Sequence, residues 1–559
     1  MVRTIGTLLC ALLLAACSKV GTETQPVTSS ASGAAAALHP WSHPGVVQIG
    51  VQREPNSLNP ILSANTTEGL INRLSFDVLV TVDASGKNFV PSLASEVPTT
   101  TNGGISKDGL TITYKLRSGV KWQDGVPFSS KDVKFSWQAM MNNNNNVNSR
   151  VGYEDVASVD TPDATTVRFH LKHKFAPFVA TVFSESDNPM CILPEHLLAK
   201  YPDVNRVAFN QMPIGTGPFK VVKWQRGDHL ELVANPDYFR GQPKLKSVTV
   251  RFIPDENTEI NSLRTHDIDW MFEPSPNLYL ILKTIEQHGD IVIHFNDTPQ
   301  TLNMQLNTSH KPLDDLRVRR AIAYAIDKQS LVDKFTGGSA RVGGADQPPY
   351  SWAYEPDIMH YPPDVGKARA LLTEAGFAPG PDGFMAKDGV RLSLQLSTNT
   401  ENATRKLVET QIQAMLHAVG IDTPIKNYAA NLYFATYGQG GVQTAGKYDL
   451  GIAGWIAGVD PDDHSQFACD QIPKPSHPDG VNYTRYCSKE MDAAQKDALA
   501  TYDQAVRKVA YSKIQKLLAA DVPQIVIWYP RFPQATNPDF KGFAPNPVNE
   551  AWNAYQWEI

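Results

Sequence analysis

Ser118-Gly119-Val120-Lys121 has the Ser-x-x-Lys spacing in which a lysine amine can activate a serine hydroxyl for acyl transfer. Enzymes that use this pattern also carry SDN and KTG motifs. Neither motif accompanies it here, and the four residues lie between a strand-like segment and a turn instead of at the start of a helix. We therefore predict a turn at this position and no serine-hydrolase chemistry.

A second group, Asp460, Asp462, Asp463 and His464, contains residue types that bind metal ions. Its order matches neither the DxDxDG of a calcium loop nor the HExxH of a zinc peptidase. Carboxylates that follow a proline also cap the positive end of a helix, and we expect that role here. The chain contains no Walker A, GxSxG or dinucleotide fingerprint. We predict no metal site, no cofactor and no enzymatic activity.

The cysteine at position 17 ends an N-terminal export signal. Arg3 supplies a positive charge, and Ile5 to Leu14 form an apolar run too short for a spanning helix, which needs about 20 residues. Leu14-Ala15-Ala16-Cys17 has the form of a lipobox, in which the thiol is acylated. We predict a lipoprotein signal peptide at residues 1–16 and lipidation of Cys17. The alternative is an ordinary secretory signal that contains a cysteine.

The remaining composition predicts a tethered, extracytoplasmic, multi-lobed protein. Residues 17–45 are rich in Ser, Thr, Ala and Gly without apolar periodicity, which indicates a flexible tether. No later run of 18 apolar residues provides a second membrane anchor. The net charge of −6 and the absence of basic runs argue against a nucleic-acid partner. The body of ~515 residues is too long for one compact unit.

The segment from Ser106 to Met140 predicts a strand, a turn and a helix. Ile112 and Tyr114 alternate with polar residues, which is typical of a strand with one buried face. A turn at Asp124-Gly125 precedes a helix for which Ser129 is the expected N-cap, with Asp132 three residues later. The unit contains no catalytic group.

The wording of this segment, SKDGLTITYKLRSGVKWQDGVPFSSKDVKFSWQAM, resembles the signature region of bacterial extracellular solute-binding proteins of family 5, the dipeptide-, oligopeptide- and nickel-binding group. Further resemblances follow in the same order along the chain. They are Pro55 with Leu58-Asn59-Pro60, Ile214-Gly215-Thr216-Gly217-Pro218-Phe219, and Asn235-Pro236-Asp237-Tyr238-Phe239.

The resemblance implies an α/β protein with the type II periplasmic-binding-protein fold, bilobal with three subdomains and a ligand cleft between the lobes. Alternating helices and strands after residue 297 support the α/β class. Lobe I would comprise residues 46–296 plus 522–559, and lobe II residues 297–521. The implied function is that of a monomeric receptor that captures a solute as its lobes close and delivers it to the permease subunits of an ABC importer.

The resemblance also implies two strand-like segments that grip the backbone of an extended peptide. Carried over by motif, they are Ser63-Ala64-Asn65-Thr66 and Trp455-Ile456-Ala457-Gly458. Gly454 and Gly458 flank Trp455, which favours close approach by another backbone. The alternative for Trp455 is a plain core tryptophan.

The sequence provides separate candidate residues for binding the two charged ends of a peptide. Many relatives place an Asp three residues after that Trp to bind the α-ammonium, but here the position is Gly458 and the first acid is Asp460. Either Asp460 takes over the role in a shifted register, or the ligand has no fixed amino end. Arg405 is the candidate for the carboxylate end, and the alternative is a solvated helix start.

The resemblance favours a Cys469–Cys487 disulfide, since dipeptide-binding relatives have a short-loop bridge at a similar place, and the expected oxidising compartment permits it. We expect Cys191 to be a buried small side chain. The leading interpretation is an oligopeptide receptor in the periplasm or at the cell surface. The alternatives are a receptor for a nickel chelate, sugar or other small solute, and an envelope lipoprotein hydrolase or chaperone on the same scaffold.

Overall fold

The computed structural model describes residues 38–63, 65–185 and 189–559. The predicted signal peptide, Cys17, most of the predicted tether and Ala64 lie outside the described residues. Residues Pro40–Ile559 form one compact unit, which contains both sheets and the cavity described below. Within the described ranges, no helix combines the length and apolar character needed to cross a bilayer.

The last residues assigned to the tether pack against the body. Trp41 stacks on the ring of His266 with 4.1 Å between ring centroids. Ser42 Oγ donates to Asp539 Oδ2 at 2.6 Å, and the Gly45 N–H donates to the carbonyl oxygen of Ile559 at 3.0 Å. The packed body therefore begins near Pro40, before the expected end of the tether at residue 45, because an aromatic and a hydroxyl side chain contact it.

The chain up to residue 297 contains eleven strands and six α-helices. The strands are β1 (Val46–Val51), β2 (Val80–Val82), β3 (Phe89–Pro91), β4 (Thr111–Lys115), β5 (Val156–Asp163), β6 (Thr166–Leu171), β7 (Phe219–Gln225), β8 (His229–Ala234), β9 (Ser247–Phe252), β10 (Trp270–Met271) and β11 (Val292–Asp297), counted over the described residues. The helices are α1 (Thr66–Ser75), α2 (Ser130–Met141), α3 (Phe178–Thr181), α4 (Glu195–Leu198), α5 (Glu256–Arg264) and α6 (Tyr279–Glu286).

The rest of the chain contributes nine strands and eight α-helices. The strands are β12 (Gln300–Leu306), β13 (Arg341–Val342), β14 (Ala378–Pro379), β15 (Met385–Lys387), β16 (Val390–Arg391), β17 (Leu396–Ser397), β18 (Leu450–Ile456), β19 (Gln524–Tyr529) and β20 (Arg531–Thr536). The helices are α7 (Leu316–Ala325), α8 (Lys328–Thr336), α9 (Val365–Glu374), α10 (Ala403–Ala418), α11 (Ala430–Tyr433), α12 (His464–Phe467), α13 (Lys489–Leu499) and α14 (Gln504–Asp521).

Two mixed sheets define the two lobes. Lobe I is built on a seven-stranded sheet in the order β11-β20-β10-β1-β9-β8-β7, and lobe II on a five-stranded sheet in the order β13-β19-β12-β18-β17. A separate three-stranded sheet, β4-β6-β5, belongs to lobe I and has its own apolar cluster around Tyr114, Phe169 and Phe183. Lobe I therefore has two subdomains and lobe II is the third.

The chain passes between the sheets twice. β11 belongs to the first sheet and β12 to the second, so the first crossing lies at Thr298-Pro299. β19 pairs with β12 in lobe II, while β20 pairs with β11 in lobe I, which places the second crossing at Pro530. This crossing lies later in the chain than the expected lobe boundary at 521–522. The apolar run of β19 is buried beside β12, so helix α14 is followed by one more strand of lobe II.

Local signals predicted several elements correctly. Ser129 caps α2, with its side chain and that of Asp132 forming a reciprocal capping box, and Ile112 and Tyr114 of β4 are fully buried. The apolar pattern that runs through both α7 and α8 does not form one continuous helix, because the side chain of Asp327 caps a new helix start by accepting from the Ser330 N–H at 3.0 Å.

Candidate ligand-binding site

The two lobes face each other across a cavity beside the crossings. It encloses about 210 Å³, less than the roughly 300–1,000 Å³ of sites that hold drug-sized ligands. Residues from both lobes line it, among them Ser275, Asn277 and Phe532 of lobe I and Thr301, Arg405 and Trp528 of lobe II. A ligand as large as an oligopeptide would therefore be held with the lobes further apart than they are in this arrangement.

Side chains from each lobe hold the facing surfaces together. The hydroxyl of Tyr502, between α13 and α14, donates to the Gly109 carbonyl oxygen at 3.0 Å and accepts from the Phe175 N–H at 3.4 Å. Near the crossings, Arg341 forms a two-point ion pair with Asp297 at 2.8 and 3.1 Å. These contacts define a closed arrangement of the lobes.

The end of β18 directs part of its backbone away from its partner strand. The Ala457 N–H donates to the Pro299 carbonyl oxygen at 2.8 Å, in register with the antiparallel pairing of β18 and β12. Successive residues of such a strand direct their N–H and C=O groups to opposite sides. Trp455 and Ala457 therefore face β12, whereas Gly454 and Ile456 present their backbone groups on the other side.

That other side is an open edge. The neighbouring strand β17 is parallel to β18 and pairs Leu396 with Leu450 and Ser397 with Gly451, where it ends. No described residue pairs with the backbone of Gly454 or Ile456 on this side. The side chain of Ile456 is 52% exposed. An extended chain could therefore hydrogen-bond to this edge as an added strand.

Arg405 lies at the same edge, and no described acidic side chain forms an ion pair with it. A Cβ atom at position 454 would lie 2.9 Å from Arg405 Nη2, so glycine there leaves room for the guanidinium. Nη1 donates to Asn399 Oδ1 at 2.9 Å. Burial lowers the pKa of the guanidinium below its ordinary value. This cavity wall is therefore suited to an anionic group.

Asp460 is engaged elsewhere. Its two carboxylate oxygens accept from Arg507 Nη1 and Nη2 at 2.7 and 2.6 Å, and the two side chains are only 10% and 6% exposed. Burial by itself would lower the pKa of Arg507, but the adjacent Asp460 carboxylate outweighs it and the pKa is raised. Of the two hypotheses for this acid, the geometry favours a ligand without a fixed amino end, since an α-ammonium would have to displace Arg507.

The other predicted gripping segment is a helix cap. Ser63 is fully buried, with its Oγ donating to the Asn59 carbonyl oxygen at 3.1 Å. Asn65 Oδ1 accepts from the Glu68 N–H at 3.0 Å, and Thr66 begins α1. None of these three residues lines the 210 Å³ cavity, so contact of this segment with a ligand stays a prediction.

The other residues predicted to contact a ligand differ in exposure and in whether their backbone groups are already hydrogen-bonded. Trp455 is half-buried, Gly458 is exposed beyond the strand, and the Ala457 N–H is already used by Pro299. The structure thus brings Arg405 to Gly454 and separates both from Asp460. Sequence reasoning missed Arg507, whose only signal was a cation four residues before Tyr511 on the buried face of α14. It also missed the cavity wall formed by Trp528 and Phe532.

Cys469 and Cys487 are joined by a disulfide in a loop of lobe II, and Cys191 is buried. Replacing both bridged cysteines with serine is expected to cost about 2–4 kcal/mol, because an open loop regains conformational freedom in the unfolded chain. Urea denaturation of the wild type with and without reductant measures the same difference. Peptide mapping without reduction should show one linked pair. Two alkylatable thiols at these positions would contradict the pairing.

The Ser-x-x-Lys segment and the acidic group before α12 have structural roles. Ser118 and Gly119 form a turn after β4. The Asp462 side chain accepts from the His464 N–H at 3.0 Å, at the start of the one-turn helix α12. Among the described residues, no cluster of three His, Cys, Asp or Glu side chains is arranged to hold a metal ion.

Two lobes joined by two crossings, with an open strand edge and an interlobe cavity, define a binding protein that encloses its ligand. The sequence profile of bacterial extracellular solute-binding proteins, family 5, matches residues 88–469. The chain belongs to this family, whose members are solute-binding receptors.

Named relatives cover nearly the whole chain. The oligopeptide-binding protein AppA of Bacillus subtilis is 28% identical over 555 residues, which is 98% of this chain and 96% of the relative. The structure of AppA with a nonapeptide has 27% identity and a TM-score of 0.70, covering 92% of this chain and 99% of AppA. The structure of NikZ from Campylobacter jejuni with Ni(L-His) has 28% identity and a TM-score of 0.72, covering 93% of this chain and 100% of NikZ.

Proposed function

We propose that this protein is the extracytoplasmic receptor of an ABC importer and that its solute is an oligopeptide. The open backbone edge at Gly454 and Ile456, of which Gly454 lines the cavity between the lobes, carries the proposal. Every peptide offers the same backbone donors and acceptors, so pairing with this edge selects peptides largely regardless of their side chains. The similarity to AppA supports this solute class.

Closure of the lobes and the charge of Arg405 would add to the binding at the strand edge. Ligand bound to the edge of lobe II would be enclosed when lobe I closes over it. The uncompensated guanidinium of Arg405 would then hold a carboxylate of the ligand. The closed receptor would dock as a monomer on the permease subunits. It would carry no cofactor and perform no catalysis.

A preformed metal chelate is the second candidate, favoured by the similarity to NikZ with its bound Ni(L-His). Such a chelate brings its own metal ligands and a carboxylate that would suit Arg405. It offers no extended backbone to the strand edge. Binding of a peptide should therefore depend on hydrogen bonds to this edge, and binding of a chelate should not.

Backbone N-methylation of a peptide separates the candidates. Native mass spectrometry of the purified protein identifies a retained solute, and calorimetric titration then compares that peptide with variants methylated at single backbone nitrogens. We expect at least one methylation to weaken binding about tenfold or more, since it removes a hydrogen bond worth about 1.5 kcal/mol or more in a desolvated site. Side-chain changes to alanine should weaken binding less.

Retention of a metal chelate, or affinity that depends on side chains and ignores methylation, would contradict peptide capture by this edge. A matched protein variant, Ile456→Pro, removes an N–H that faces away from β12 and should lower peptide affinity. Ala457→Pro removes the N–H bonded to Pro299 and should instead lower the melting temperature.

We also propose that a lipid on Cys17 anchors the receptor to a membrane. The supporting features are the apolar run and lipobox at its N-terminus. Cys17→Ser should yield uncleaved or unlipidated precursor, and globomycin should block processing of the wild type. Metabolic labelling with a palmitate analogue measures the modification. Normal maturation of the variant together with insensitivity to globomycin would contradict this assignment.

A further inference from the structure

Two acidic side chains meet inside lobe II, away from the cavity that Arg405 lines. Asp346 follows β13, and Asp463 belongs to the loop that leads from β18 to α12. Their carboxyl groups lie close enough to interact with each other, and the two residues are only 7% and 1% exposed. The pair therefore joins the loop after the proposed ligand-binding edge to a separate segment of the same lobe.

Amide groups satisfy one oxygen of each acid. Gln347 Nε2 donates to Asp346 Oδ2 at 2.6 Å, and Gln495 Nε2 donates to Asp463 Oδ1 at 2.7 Å. The other oxygens, Asp346 Oδ1 and Asp463 Oδ2, receive no hydrogen bond from any N–H or O–H group of the described residues, and the fully buried Gln495 Oε1 is also unsatisfied. A proton between the two carboxyl groups would satisfy both remaining oxygens.

Among the residues that the structure describes, no cation forms an ion pair with either acid. Of the titratable groups around it, Arg507 on α14 is committed to Asp460, and Asp462 on the same loop adds negative charge. Tyr529 on β19 donates to the Ala345 carbonyl oxygen at 2.7 Å.

Three further titratable groups lie close by without pairing to either acid. Tyr511 on α14 is bonded to Arg507 at 3.0 Å. Lys328, which lines a small cavity with Asp346, donates to the Gly343 carbonyl oxygen. The ring of His464 lies nearest to Asp470, at 3.7 Å from Nε2. The pair thus depends on its own proton for neutralisation.

We propose that Asp346 and Asp463 share one proton and act as a pH-sensitive clasp on the loop that follows the ligand-binding edge. Two carboxylates in contact inside a protein cannot both be ionised without strong repulsion. With the proton in place, the loop from Gly458 to His464 is tied to the segment around Asp346. Release of the proton would separate the acids and loosen the end of that edge.

The direction of the pH effect follows from the folded state. Burial raises the pKa of Asp463 well above its usual range, with the Asp346 charge adding to the effect, and burial also raises the pKa of Asp346. In the unfolded chain both acids ionise near their ordinary pKa of about 3.9. The stabilising effect of the clasp is therefore complete below that pH and is lost as pH rises through the raised pKa of the pair.

Asp463→Asn tests the clasp, since its amide can donate permanently to Asp346. The melting temperatures of variant and wild type should coincide near pH 4, and the variant should become increasingly more stable than the wild type as pH rises. Hydrogen exchange of residues 457–464, compared at equal pH, should be the same in variant and wild type near pH 4 and slower in the variant at the pH values where it is the more stable protein. Infrared spectra of the wild type should show a protonated carboxyl band that persists above the ordinary pKa of an aspartate and that the variant lacks. Asp357→Asn, whose side chain is 95% exposed, is the charge-matched control.

Asp346→Asn provides a second route if the first variant folds poorly, and the same pH-dependent gain is expected. A stability difference independent of pH in both variants would overturn the proposal, as would the absence of the protonated carboxyl band. A metal ion retained by the wild type in native mass spectrometry and lost in Asp463→Asn would also overturn it, because a cation would then neutralise the pair. The test is independent of the identity of the transported solute.

Discussion

Asp460→Asn is expected to lower the free energy of unfolding by about 3–5 kcal/mol, because it leaves a buried cation without its counter-charge. Arg507 would keep its hydrogen bonds to the Ala498 carbonyl oxygen and the Tyr511 hydroxyl, at 2.8 and 3.0 Å, but lose the carboxylate that neutralises it. Urea denaturation monitored by tryptophan fluorescence measures the loss. Asp462→Asn is the matched control. This exposed neighbour has no ion pair among the described residues and should cost no more than about 0.5 kcal/mol.

Asp460→Asn also tests whether the carboxylate of Asp460 binds the α-ammonium group of a peptide. With Asp460 bound to Arg507, free-amine and N-acetylated forms of one peptide should bind the wild type with similar affinity, and the variant should preserve that ratio under conditions where it is folded. A preference of tenfold or more for the free amine that disappears in Asp460→Asn would show that this carboxylate anchors the α-ammonium. The stability loss and the affinity ratio are separate measurements, so either can fail alone.

Arg405→Gln is expected to weaken binding of a peptide with a free carboxylate by about 2–5 kcal/mol, roughly 30- to 4,000-fold in Kd. The variant removes a cation that is held beside Gly454 in the interlobe cavity. The C-terminally amidated form of the peptide should bind wild type and variant alike. Calorimetric titration of both forms gives the comparison.

Stability provides an independent readout for this residue. The guanidinium of Arg405 has only the neutral Asn399 as a hydrogen-bond acceptor among the described residues, so its removal should not reduce the free energy of unfolding. Lys406→Gln, an exposed cation one residue further along α10, should change neither affinity nor stability. Equal loss of affinity for amidated and free peptides would show that Arg405 shapes the cavity and does not bind a carboxylate.

Most of the fold could be predicted because its signals are local or carried by long motifs. The capping box of Ser129 and Asp132, the alternation of β4 and the ordered family motifs each follow from residues close together in the chain. Element ends were less predictable. Asp327 interrupts a continuous apolar pattern to start α8, because a side-chain cap competes with helix continuation at a cost that the pattern does not reveal.

The candidate site was predicted only in part. The motif that contains Trp455 located the end of β18 correctly, but the sequence could not show which of its residues would keep free backbone groups. That depends on the register with β12 and on β17 ending at Ser397. The crossing at Pro530 lies later in the chain than expected for a similar reason, since membership of a sheet is decided by the partner strand and not by the run itself.

The family, the α/β class and the local caps and turns could be predicted from the residues alone, because they arise from spacings of a few residues. The same is true of the glycine at position 458, three residues after Trp455, which provides no carboxylate there. The ion pair of Asp460 with Arg507, the uncompensated charge of Arg405 beside the cavity and the contact of Asp346 with Asp463 become visible only in the folded chain. Such contacts join residues far apart in the chain, and the burial that gives them their energy exists only after the chain has folded.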